Sequence, residues 1–70
     1  MKYLIILEPT ETGFSAYSPD IPGCIATGAT ETETKMLMAE AISFHLEGIA
    51  QSGAELPVSH SIADYVEIAE

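Results

Sequence analysis

Up to Ala29 the chain alternates short apolar runs with polar breaks, and beyond it the pattern changes to a longer period. Residues 3–7 (YLIIL) form a continuous apolar run of strand length, whose isoleucines and tyrosine favour a strand buried on both faces. Residues 8–13 (EPTETG) break the run. Pro9 cannot continue a central ladder, and Gly13 permits a turn with positive φ. Residues 14–18 (FSAYS) then alternate, with Phe14, Ala16 and Ser18 on one face and Ser15 and Tyr17 on the other, as in the second strand of a hairpin. Residues 19–23 (PDIPG) can be neither helix nor regular strand, because two prolines fix φ and bias Ser18 and Ile21 toward extended backbone. Residues 24–27 (CIAT) read as a third short strand, ended by Gly28.

From Thr30 the period becomes helical. Thr30-Glu31-Thr32-Glu33 fits a capping box, with Thr30 as N-cap and Glu33 three residues on. The helix runs to about Ser52, interrupted only by Gly48 at a cost of ~1 kcal/mol. Gly53 follows as the C′ residue and Pro57 lies just beyond. Met38, Ile42, Leu46 and Ile49 share one stripe, flanked by Ala39 and His45, and this is the face for the sheet. The opposite stripe carries Glu33, Leu37, Glu40, Phe44, Glu47 and Gln51. It sets Leu37 and Phe44 among acids on the solvent side, with Met36 close by, as at an interface.

After a loop over residues 55–61, weak alternation at residues 65–68 predicts a fourth strand, with helix as the competing reading. The expected fold is α+β in the order β-β-β-α-β. An antiparallel sheet of three to four strands carries one helix on one face, in a single domain spanning residues 1–70. The other sheet face has no second layer within the chain.

Composition adds two constraints. A chain of 70 residues buries only ~60% of the surface it exposes when unfolded, so small domains lean on disulfides, metals or association. A single cysteine excludes an internal disulfide, and Cys24, His45 and His60 lack zinc-ligand spacing. No cofactor or metal is therefore expected, and a homo-oligomer, dimer or tetramer, is. The second constraint is charge: 11 acids against 2 bases leave a net −9. Such a surface repels phosphate and attracts a basic partner, so direct nucleic-acid binding is not expected. The N-terminal apolar run is too short for a signal sequence or a membrane span. A lone thiol suits a reducing compartment, and a cytoplasmic location is expected.

Catalytic chemistry finds little support. Glu8, Asp20 and Glu40 are the acids to consider for a magnesium-dependent nuclease. Glu40 is predicted to point away from the sheet and Glu8 stands at a strand end, so a solvated acidic surface is the better reading. Cys24, after Gly23 at a strand start, reads as a small buried thiol. His45 reads as a packed or interfacial side chain, and His60 sits in a serine-rich loop with no partner nearby in sequence.

The aromatic alternating strand, SPDIPGCIATGAT, the capping glutamate and EAISFHLEGIAQSGAELP together resemble the N-terminal domain of the HicB-like antitoxins. The PDIPGC stretch is the most specific part, and the resemblance runs from about Tyr3 to Pro57. It implies a reduced ribonuclease-H-like fold without the catalytic acids. It also implies a role in binding and neutralising HicA, a small basic toxin that cleaves mRNA. Full-length members carry a C-terminal operator-binding domain. Here the chain stops at Glu70, so operator binding is not expected. Thr34 and Lys35 stand where the family usually has an alanine and an apolar residue, which predicts a less apolar first helical turn. The residues expected to meet a partner are Pro19, Asp20, Ile21 and Pro22 in the stiff loop and Leu37, Glu40 and Phe44 on the helix. Gly13, Gly23, Cys24, Gly28, Thr30, Glu33 and Gly53 are expected to shape loops and caps. An oligomeric domain that binds another protein or a small ligand is the alternative.

Overall fold

The computed structural model describes residues 1–69, and in it the predicted hairpin pairs β1 (Ile6–Pro9) with β2 (Phe14–Tyr17). β3 (Ile25–Gly28) adds antiparallel to β2, giving the order β1-β2-β3, and α1 (Glu31–Gln51) comes next. The register places Ile6, Tyr17 and Ile25 side by side, and Leu7, Ala16 and Ala26 in the next row. Side chains alternate across a sheet. Leu7, Ala16 and Ala26 therefore face the helix, while Ile6, Tyr17 and Ile25 lie on the face that no helix covers.

Ala16, Ile21, Cys24 and Met38 form the buried core, with Tyr3, Ile5, Leu7, Ala26, Ala41 and Ile42 packed against it. Small residues in the middle of β2 and β3 let the helix come close. Thr34, predicted to loosen the first turn, is fully buried there. Its hydroxyl donates to the Thr30 carbonyl at 2.7 Å, which removes the penalty of burying it.

The helix is capped much as its sequence suggests. Thr30 is extended, and its hydroxyl oxygen accepts the Glu33 amide at 3.0 Å. The Glu33 carboxylate reaches back to the Ala29 amide at 2.9 Å, one residue before the cap. Gly53 ends the helix at φ 82°. With 21 residues the helix is ~32 Å long, whereas each four-residue strand spans ~13 Å. Its C-terminal half therefore overhangs the sheet, and Leu46 and Ile49 are only half-buried.

Three expectations need correction. The first strand is Ile6–Pro9 rather than residues 3–7, and it is not buried on both faces: α1 lies over β3 and β2 and barely reaches β1, so no residue of this edge strand is fully buried. Pro9 belongs to β1, where an edge position tolerates its missing donor. Residues 65–68 form no strand, and residues 62–69 are all exposed. A strand needs a ladder partner. Among the described residues none is paired with this segment: the sheet holds β1, β2 and β3 alone, and no backbone hydrogen bond joins residues 62–69 to it.

Gly13 is not at positive φ. It is a point of close approach: an added Cβ would collide with the Gly28 carbonyl oxygen and lie 2.9 Å from the Ala29 Cα. At Gly28 the nearest obstacle is a side-chain atom, the Thr34 hydroxyl at 2.6 Å, rather than backbone, and at Gly48 there is open space. Thermal unfolding should rank the three alanine variants accordingly. Gly13→Ala is expected to lose about 1–3 kcal/mol or more and Gly28→Ala less. Gly48→Ala is expected to gain up to ~1 kcal/mol.

Candidate functional site

The stiff loop is two successive β-turns. The Ile21 amide donates to the Ser18 carbonyl at 3.2 Å, and the Cys24 amide donates to the Ile21 carbonyl at 3.3 Å. Each turn has a proline at its second position, Pro19 and Pro22, where φ near −65° is already correct. Gly23 has φ 82°, as the third position of a type II turn requires. Ile21, shared by both turns, plugs into the core and is fully buried. The Ser18 hydroxyl donates to the Leu4 carbonyl at 2.8 Å and ties the loop to the chain before β1.

Asp20 points inward and is 6% exposed. Its carboxylate accepts the Ser61 hydroxyl at 2.6 Å, the Ser61 amide at 3.1 Å and the His60 amide at 3.2 Å. The His60 Nδ1 lies 2.9 Å from the carboxylate and 3.0 Å from the Val58 carbonyl oxygen. Both neighbours are acceptors, so Nδ1 carries the proton. The Tyr3 hydroxyl adds a second tie, donating to the Pro57 carbonyl at 2.6 Å. The sequence signal for this clamp is faint, since the partners stand some forty positions apart.

Of the four loop residues expected at a partner surface, Asp20 and Ile21 are turned into the fold. Only Pro19 and Pro22 remain outside. Cys24 is buried in the core beside Ala16, Ile21 and Met38, and burial pushes its thiol above the ordinary range. Glu8, Asp20 and Glu40 do not converge. Among the described residues, no three histidine, cysteine or acidic side chains are placed to share a metal ion.

The helix face presents a different surface. Leu37, Glu40 and Phe44 are exposed at spacings of three and four residues, with Met36 beside them. Phe44 is 80% exposed. Next to it, the bare backbone at Gly48 leaves a shallow hollow of about 410 Å³ bordered by His45, Glu47 and Ile49. Glu33, Glu40 and Glu47 rim the stripe. An apolar centre with an anionic border is the make-up of a docking surface.

The sequence matches the model of the HicB-like antitoxins of bacterial toxin–antitoxin systems over residues 3–70. This chain belongs to the HicB-like antitoxin family. It is also 41% identical, over 66 residues, to the uncharacterized 14.9 kDa protein of the rep-hol intergenic region of Haemophilus phage HP1 (strain HP1c1). That alignment covers 94% of this chain and 50% of the phage protein, so the chain spans half the length of that relative. No solved structure gives a significant match. No helix among the described residues is long and apolar enough to cross a membrane.

In this HicB-like domain the Asp20 clamp should be acid-labile. The Ser61 hydroxyl bond holds the carboxyl below its ordinary value against the opposing effect of burial, helped by the Ser61 amide and by the His60 charge and amide. With the folded value depressed, the ionised form stabilises the clamp fully above pH ~4, and this contribution is lost as pH falls through the lowered value. The amide resonances of His60 and Ser61 should therefore move in an acid titration followed by NMR. Asp20→Asn should show them released already at neutral pH, with no acid step.

Proposed function

We propose that this chain is a protein-binding module that masks a basic, mRNA-cleaving toxin of the HicA class. The observation that carries the reading is the Leu37–Phe44 stripe: two apolar side chains held in water on a rigid helix, inside an acidic border. Burying an apolar side chain of this size is worth about 1.5–3 kcal/mol, which the isolated chain leaves unrealised. The net charge of −9 would speed encounter with a basic partner. Glu40 would then lie at the rim of the contact, with the exposed Pro19 and Pro22 of the loop as a second contact patch. The β-β-β-α order is read as a reduced ribonuclease-H-like unit, retained as a scaffold rather than for its chemistry. The buried reduced thiol of Cys24 suits the cytoplasm, where the toxin's mRNA substrate lies.

The alternative, an oligomeric domain that takes another protein or a small ligand on the same stripe, draws on the hollow beside Phe44. One experiment separates the two. The chain is titrated by calorimetry with the small basic protein encoded beside it. The proposal expects tight 1:1 binding that weakens with salt, and a loss of at least about 30-fold for Leu37→Glu with Phe44→Glu, the scale of a hot-spot deletion. Because both side chains are exposed, the variant's thermal stability should change little. Absence of a basic neighbour that binds, or full affinity in the double variant, would overturn the toxin reading.

A further inference from the structure

Two unfilled features of the fold fit each other. The first is a groove of about 450 Å³ between the chain leading into β1 and the helix, lined by Tyr3, Ile5, Ala39, Ile42 and Leu46. It exists because α1 sits over β3 and β2 and leaves the β1 side open. The groove borders β1, an edge strand with unpaired backbone groups. The second is the tail. Ile62 is 90% and Tyr65 98% exposed, and Val66 and Ile68 are almost as bare. Among the described residues no backbone hydrogen bond joins residues 62–69 to the body; the Tyr65 amide bonds only to its neighbour Asp64. The radius of gyration is 14.0 Å and the longest extent 50 Å, whereas a compact chain of this length has a radius of about 11 Å.

We infer that residues 62–69 of one copy form the missing strand of a second copy, beside its β1 and over its groove, and that the exchange is reciprocal. Three observations select this occupant. Length allows it: eight residues of strand span up to ~26 Å, and β1 (~13 Å) together with the three residues before it, which include the groove-lining Tyr3 and Ile5, spans up to ~23 Å. Pattern agrees too, since an extended tail puts Ile62, Asp64, Val66 and Ile68 on one face, three apolar side chains for the floor and one carboxylate for the groove-lining Lys35. Charge is the third. Lys35 lines the groove, Lys2 lies between two residues that flank it, and these are the only Lys or Arg residues in the chain. The tail brings Asp64 and Glu67. The chain's own groove is not filled by its own tail: residues 62–69 are all exposed, and among the described residues no backbone hydrogen bond joins them to the body. A two-fold exchange fills both grooves and leaves neither tail in water. The inference does not depend on the toxin reading, as it uses the β1 side of the molecule and not the Leu37–Phe44 stripe.

Sedimentation equilibrium on the intact chain tests it. The expected mass is twice 7.5 kDa. Val66→Asp with Ile68→Asp should halve that mass and leave the circular dichroism unchanged, since both side chains are bare in the single chain. A chain ending at Ser61 should behave likewise. Mixing a Ser43→Cys chain with a Val66→Cys chain under mild oxidation should give a cross-linked pair, which neither forms alone. A monomeric wild-type chain, a dimer untouched by the paired aspartates, or no cross-link in the mixture would each overturn the exchange.

Discussion

Asp20 is a charged group withdrawn from water and satisfied by donors from Ser61 and His60, some forty residues further along. A buried carboxylate left without such donors would be costly, so the loop and the segment after the helix must come together or both give way. The two prolines fix the loop's shape before folding, and Ile21 pins it to the core. Each element then depends on the one before it. The loop turns β2 into β3, β3 feeds the helix cap, and the helix returns the chain to the residues that satisfy Asp20. A domain too small for a large core replaces part of that core with one polar knot.

The helix was legible in the sequence because its instructions are local. Thr30, Glu33 and Gly53 stand within reach of the groups they satisfy, and the apolar period needs no distant partner. The hairpin and third strand were legible for the same reason, since Phe14 and Ala16 alternate with Ser15 and Tyr17 and the turns announce themselves. The Asp20 clamp was not, because no spacing rule joins positions so far apart. Thr34 misled for a chemical reason: its hydroxyl looks polar, yet it bonds to the turn below and packs like a small apolar side chain. Gly13 was read for flexibility when its contribution is the absence of a Cβ.

Residues 62–69 illustrate a different limit. Their strand pattern is real but conditional, because strand is a property of a pair and not of a segment. The candidate interface on the helix was half legible. Periodicity put Leu37 and Phe44 on the outer face, and the structure leaves them there. The loop's share shrank, since periodicity has no purchase on turns. Proline and glycine announce that the chain bends, but not which side chain the bend turns inward.

Because Asp20 grips the chain at His60 and Ser61, the point from which the tail leaves is set by the fold. Direction decides closure. When the exit lets two copies satisfy each other, the assembly ends at two and no strand is left over. When it hands each tail to a fresh neighbour, the same contacts repeat without limit and grow into a filament. An edge strand and an apolar tail in one chain are the raw materials of such polymers. In the exchanged pair inferred above, one buried carboxylate would thus help to separate a finite particle from an endless one.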